Sequence, residues 1–149
     1  MIDVQAEAVI NRPRDVVFSF ATDPANAPRW CSGIKSVRWE TRPPLRRGSR
    51  MTFEARFMSR PFEYTSEVAE LVPGERLVMR AAPGPYAMET TYTCSDAGPG
   101  RTRLSLRNHG EPGEWASTAA RVIAGAMKKA NLKDLAALKL LLEKPQSSW

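Results

Sequence analysis

Residues 114–143 read EWASTAARVIAGAMKKANLKDLAALKLLLE, and this stretch decides the fold. A spacing of three to four residues between apolar side chains predicts an amphipathic helix of about 30 residues, long enough to cross a small domain. Gly125 lies near its middle, where a glycine weakens a helix by about 1 kcal/mol relative to alanine. The apolar positions are Trp115, Ala119, Val122, Ile123, Ala126, Met127, Ala130, Leu135, Leu138, Leu141 and Leu142.

Upstream of this helix, the sequence shows the two-residue alternation of β-strands. Within residues 49–58, Met51, Phe53, Ala55 and Phe57 face one way, and charged or polar residues face the other. Proline- and glycine-rich turns separate the apolar runs, which favours an antiparallel meander over parallel strands joined by helices. We predict strands at residues 2–10, 34–41, 49–58, 62–72, 76–82, 86–95 and 101–108, and two short helices at 13–22 and 24–30.

This order of elements predicts an internal cavity. The fold class is α+β, with a curved antiparallel sheet of seven strands, two short helices after the first strand and one long C-terminal helix. A twisted sheet must cover its inner face, and a single helix about 10 Å wide cannot fill the concave side of it. Each bulky inner-face residue alone is more simply explained as core. As a set, the predicted cavity residues are Trp30, Trp39, Phe53, Phe57, Tyr64, Met79, Met88, Tyr92, Leu106, Asn108, Trp115, Ile123 and Met127.

A few polar side chains are expected among the apolar ones. Strand alternation places Asn108 on the face of Leu106, and it places Thr90 with Tyr92. A tyrosine hydroxyl or an asparagine amide can orient a carbonyl or an enolate, although bonds to backbone or water are the alternative. His109 ends the last strand near the expected cavity rim. No catalytic residue is assigned, and whether the protein is an enzyme stays open.

Composition limits the remaining possibilities. The 149 residues fit one domain, at 1–144, followed by a tail at 145–149. The net charge of +6 comes from arginines spread along the chain, so we expect a solvated basic surface and no nucleic-acid partner, with peripheral contact to an anionic membrane left open. The N-terminus has no secretory pattern, which favours a cytoplasmic location. Cys31 and Cys94 are expected to be reduced and buried, and no cofactor or metal site is indicated.

Five stretches, in order along the chain, resemble the START-like helix-grip superfamily, in particular its polyketide cyclase/dehydrase and lipid-transport branch. Each stretch mainly records packing and turns, but their order covers nearly the whole chain. The matching stretches are Ala8–Pro13 with Asp15–Phe18, Asp23–Trp30, Val68–Leu77, Gly100–Leu106, and Leu132–Leu135 with Leu138–Lys139.

The resemblance implies a cavity for a hydrophobic ligand, which in some relatives is also catalytic. It does not imply a shared reaction, because a fold alone does not define a function. We therefore expect binding or transport of a lipid, an isoprenoid or a polyketide-like molecule by a monomer or homodimer. The alternative is an enzyme of the polyketide cyclase, aromatase or dehydratase type that uses polar residues of the cavity.

Overall fold

The structure, a computed structural model, describes residues 2–81, 86–112 and 119–144. Its strands and helices follow the predicted order. They are β1 (Ile2–Ile10), α1 (Arg14–Thr22), a 3-10 turn (Pro24–Asn26), α2 (Ala27–Trp30), β2 (Ile34–Trp39), β3 (Arg50–Phe57), β4 (Arg60–Val72), β5 (Arg76–Ala81), β6 (Tyr86–Gly98), β7 (Arg101–Pro112) and α3 (Ala120–Glu143).

The described strands form one seven-stranded antiparallel sheet in the order β1-β7-β6-β5-β4-β3-β2. Strands β2 to β7 are a meander in which each strand pairs with the next along the chain. The first strand pairs with the last, so α1 and α2 carry the chain from one edge of the sheet to the other. The predicted fold class, a helix-grip sheet with a long C-terminal helix, is confirmed.

Several predicted boundaries differ from the structure, and the largest differences among the strands lie in β6 and β7. Strand β6 continues past residue 95 to Gly98, and β7 continues past residue 108 to Pro112, because the two strands stay paired from the turn at residues 99–100 to their far ends. Apolar and polar residues alternate less clearly in these extensions, but the backbone pairing of a hairpin does not require that alternation. The first turns of the predicted long helix, including Trp115, and the tail at 145–149 lie outside the described residues.

Strand register places a common set of side chains on the inner face. Val4 pairs with Asn108, Asn108 with Thr90, Thr90 with Met79, and Met79 with Val68, so this row crosses four adjacent pairs of strands on one face. Directly opposed residues of an antiparallel sheet point to the same side. Apart from the bulges at residues 34–36, 68–70 and 96–98, every second residue of each strand therefore faces the inner side, where the hydrophobic core lies.

Helix α3 is fixed to the sheet edge as well as to the core. Leu135, Leu138 and Leu142 are buried against the sheet. The Lys139 ammonium group donates a hydrogen bond of 2.7 Å to the carbonyl oxygen of Val9, and Lys128 donates to the carbonyl of Gln5. These bonds satisfy carbonyls of the outermost strand, β1, that no further strand pairs with.

Candidate functional site

Along β6 and β7, the side chains of the inner face change from fully buried to half-buried. On β6 and β7, Cys94 is 3% exposed and Leu104 is 0% exposed, and the two are directly paired. Four residues away along each strand, the paired Thr90 and Asn108 face the same side but are only half-buried. Tyr92, between Thr90 and Cys94, is also half-buried. Side chains therefore fill one end of the interior and leave accessible surface toward the other.

Helix α3 repeats this change. Leu138, Asn131 and Met127 lie on one helix face, since seven and eleven residues are close to two and three turns. Leu138 is 0% exposed, whereas Asn131 and Met127 are half-buried. The accessible part belongs to the N-terminal half of α3, residues 120–131. Inward-facing side chains with accessible surface thus occur on this half of the helix and on the strand ends that carry Thr90 and Asn108.

Aromatic rings form packed walls on the inner face of the sheet. The rings of Phe53 and Tyr64, neighbours on β3 and β4, stack with centroids 5.1 Å apart, and the Phe62 ring stacks on Tyr64 at 5.6 Å. Trp30, at the end of α2, meets Tyr92 edge-on at 6.2 Å. Edge-to-face and offset-stacked rings are favourable arrangements for aromatic pairs, and they hold these side chains in fixed orientations.

The two tyrosine hydroxyls are the main polar groups of these walls. Burial raises the pKa of Tyr64 and that of Tyr92 above the ordinary value for a phenol, so both hydroxyls keep their protons at neutral pH. Neither hydroxyl has a hydrogen-bond partner among the described residues. Each hydroxyl can therefore donate a hydrogen bond to, or accept one from, a molecule that lies against the inner face.

Asn108 and Thr90 add a second polar pair. The Thr90 hydroxyl donates to the Asn108 side-chain oxygen at 2.7 Å. That bond fixes the orientation of the amide and leaves its nitrogen, a donor of two hydrogens, available on the inner face. An amide held in this way can orient a carbonyl oxygen of a bound molecule.

Asp134 links α3 to the end of α2 beside the same walls. Its carboxylate accepts hydrogen bonds from the Ser32 backbone N–H at 3.1 Å and from the Ser32 hydroxyl at 2.9 Å. Burial raises the pKa of Asp134, and the Ser32 bonds oppose that rise. The pKa of the Cys31 thiol is also raised by burial, so Cys31 is an unreactive core thiol.

Most of the predicted cavity residues lie on the inner face of the sheet or on the inner side of α3. Tyr64, Met79, Met88, Tyr92, Asn108, Ile123 and Met127 are half-buried, as is Phe57, whereas Trp30, Phe53 and Leu106 are packed within the core. Trp39 instead borders a separate groove of about 960 Å³ that it shares with Phe18 of α1 and the prolines at 43 and 44. Trp115 lies outside the described residues.

The sequence-based set omitted two polar residues of α3, Asn131 and Asp134. Helical spacing from Met127 and Leu138 was the available signal, because it places both on the inner side. His109, by contrast, alternates to the outer face, where its Nε2 atom lies 3.6 Å from the Glu89 carboxylate. Its register partners are Asp3 and Glu89, so it does not face the interior.

Two negative findings apply to residues 2–81, 86–112 and 119–144. No three histidine, cysteine, aspartate or glutamate side chains in these ranges are grouped so as to hold a metal ion. No helix in the same ranges is both long and apolar enough to cross a membrane.

The curved seven-stranded sheet and the long C-terminal helix packed on it define a helix-grip protein of the START-like class. A family model described as polyketide cyclase / dehydrase and lipid transport matches residues 1–143. The chain belongs to this family. No curated protein sequence matches it significantly.

Solved structures of low sequence identity share the fold. A protein of Thermus thermophilus is 19% identical with a TM-score of 0.82, over 97% of this chain and 99% of that one. The Zhui aromatase/cyclase from Streptomyces sp. R1128 is 16% identical with a TM-score of 0.78, over 95% and 93%. Ginseng major latex-like protein 151 from Panax ginseng is 10% identical with a TM-score of 0.73, over 95% and 97%.

Proposed function

We propose that this protein binds a small hydrophobic molecule between the N-terminal half of α3 and the inner face of the sheet. The observation that carries the proposal is the change from fully buried to half-buried side chains along β6, β7 and α3. Protein interiors are normally close-packed, so inward-facing side chains that keep accessible surface border a space. An apolar wall with a few polar groups is typical of small-molecule sites.

The polar groups of the walls are suited to a ligand that is mostly apolar. Met79, Met88 and Met127 offer adaptable apolar surface, and thioether side chains accommodate ligands of varied shape. The two tyrosine hydroxyls add hydrogen bonds without adding charge. A lipid, an isoprenoid or a polyketide-like molecule has this combination of a large apolar part and few oxygens.

A space-filling substitution tests the proposal. Met127→Trp places a larger side chain on the inner side of α3, and we expect it to remove binding while the fold is kept. Leu140→Trp adds the same ring to the same helix at a position that is 75% exposed, so it should bind as the wild type does. Native mass spectrometry of gently purified proteins and fluorescence titration with a lipid and polyketide panel would measure both.

Two results would contradict the proposal. If wild type carries no bound mass and responds to no member of the panel, the space is not a binding site. Equal binding by wild type and Met127→Trp places the site elsewhere. Circular dichroism of both tryptophan variants checks that either loss is not a loss of fold.

A second candidate is an enzyme of the cyclase, aromatase or dehydratase type. The observation that favours it is the pair of fixed donors on the inner face, the Tyr92 hydroxyl and the Asn108 amide, which are placed to orient a carbonyl or an enolate. Tyr92→Phe or Asn108→Ala should then abolish turnover of a polyketone while binding of that compound persists. Absence of turnover by the wild-type protein on polyketone and hydroxyketone substrates would leave the binding function alone.

A further inference from the structure

We infer that the closed end of this space contains a subsite for one uncharged oxygen of the ligand, formed by the indole N–H of Trp30 and the side-chain amide of Asn131. This inference rests on the proposed binding function and adds the chemistry of the ligand. Three buried side-chain nitrogens of the described residues have no hydrogen-bond partner: Trp30 Nε1 and Asn131 Nδ2 on the inner side, and Nδ1 of His109, a residue that faces the outer side. Neither Trp30 nor Asn131 has a role in holding elements together through those atoms.

The two donors lie in one part of the molecule. Asn131 precedes Asp134 by three residues on α3, which is about 4.5 Å along the helix axis. Asp134 in turn bonds Ser32, two residues after Trp30. The Trp30 ring contacts Tyr92 on the inner face at 6.2 Å.

Unpaired donors at this site require an explanation, because nearly all buried polar groups in native proteins are hydrogen-bonded. A buried donor without a partner costs free energy, whereas an apolar residue of similar shape would cost none. A phenylalanine or leucine would pack in these places equally well. A bound acceptor oxygen explains both donors at once, and it requires a lone pair that a hydrocarbon lacks.

The charges around the donors favour an uncharged oxygen over a carboxylate. The half-buried Asp134 carboxylate belongs to the same cluster, and a second negative charge close to it in a poorly solvated site would be repelled. Lys133 neighbours Asp134 along the helix, but its side chain is exposed. A ketone, aldehyde, ester or phenol oxygen accepts from both donors without that repulsion.

Three naphthalenes that differ in one substituent at the same ring position test the inference. The substituents are an ethyl group, an acetyl group and a carboxylate, and calorimetry at neutral pH measures each affinity. We expect the acetyl compound to bind about twentyfold more tightly than the ethyl compound, from two hydrogen bonds. Trp30→Phe and Asn131→Leu should each reduce that preference about fivefold, whereas Trp39→Phe, a tryptophan change at the separate groove, should not alter it.

A measurement on the wild-type protein guards against misfolded variants. The indole N–H resonance of Trp30 should move on addition of the acetyl compound and stay in place with the ethyl compound. Equal affinity for the acetyl and ethyl compounds, or a preference that both variants keep, overturns the subsite while the binding function stands. Tighter binding of the carboxylate overturns the choice of an uncharged oxygen. If none of the three binds, the subsite is overturned, and the lipid and polyketide panel decides the proposed function separately.

Discussion

The buried polar groups of this protein are of two kinds, those that bond within the fold and those that have no partner. Thr102 is 0% exposed, and its hydroxyl donates to the Arg12 carbonyl at the start of α1, so its polarity is fully used by the fold. The buried donors of Trp30 and Asn131 on the inner side have no such partner, and neither does His109 Nδ1 on the outer face. Because an unpaired buried donor is costly, we infer a ligand oxygen as the missing partner of the two inner donors.

Asp134 allows a prediction about pH. Burial raises its pKa in the folded protein, so the folded state binds more protons than the unfolded state between the two pKa values. Stability therefore falls as pH rises through that window, and the ionised carboxylate opposes folding at neutral pH. Asp134→Asn keeps an oxygen that accepts from Ser32 but removes the charge. We expect its melting temperature at about pH 7 to equal or exceed that of the wild type.

The same variant has a matched control in its pH dependence. As pH falls through the raised pKa of Asp134, the carboxylate takes up its proton and the advantage of the asparagine variant should shrink. Thermal melts followed by circular dichroism across this range measure the difference. A variant that is less stable at every pH, by a constant amount, would show that the carboxylate stabilises the fold through contacts that asparagine cannot replace.

At the scale of elements, α3 has two parts with different roles. Leu135, Leu138 and Leu142 in its C-terminal half are buried, and Lys139 bonds the edge of β1 and pairs with Glu143 at 2.6 Å. Met127 and Asn131 in its N-terminal half keep accessible surface on the same side. One half of the helix therefore supplies stability, and the other borders the space where we propose that a ligand binds.

Alanine substitutions along α3 measure this division. Leu138→Ala should cost about 2–5 kcal/mol in the free energy of unfolding, because it leaves a void in a packed region. Met127→Ala should cost less than half of that, since its side chain already borders open space. Leu140→Ala, at an exposed position, should change stability by about 0.5 kcal/mol at most. Urea denaturation gives all three values, and equal costs at positions 127 and 138 would contradict the division.

Sequence patterns predict which face of an element a residue lies on better than they predict its position along that element. The two-residue alternation of strands correctly placed Tyr64, Tyr92 and Asn108 on the inner face. Alternation carries no information on distance along the sheet, so Trp39 was grouped with them although it borders the groove beside α1. The apolar spacing of α3 does not predict Asn131, because such a pattern does not include a polar residue on the same helix face. The depth at which packing stops depends on contacts between distant elements, which one sequence does not display.

For the whole molecule, the order of the strands explains how the C-terminal end of α3 is held against the sheet. Strand β1 pairs with β7, which brings the start of the chain beside α3, and Asn11 and Arg12 contact the end of that helix through Glu143 and the Leu142 carbonyl. The C-terminal end of α3 is thus held by hydrogen bonds to residues that follow β1, as well as by its leucines. The N-terminal half of the helix has one such bond to β1, from Lys128 to the carbonyl of Gln5.

This asymmetry predicts unequal stability within one cooperative domain. Backbone amides of residues 135–143 should exchange with solvent only through global unfolding, whereas those of residues 120–131 should exchange faster through local opening, because fewer buried contacts hold them. Hydrogen-exchange mass spectrometry resolves the two halves of α3 as separate peptides. Saturation with the acetyl naphthalene should slow exchange in residues 120–131 more than in residues 135–143, since a bound molecule fills the space beside the first half only. Uniform exchange along the helix, with or without that compound, would mean that the whole of α3 is packed alike and that the interior holds no separate binding space.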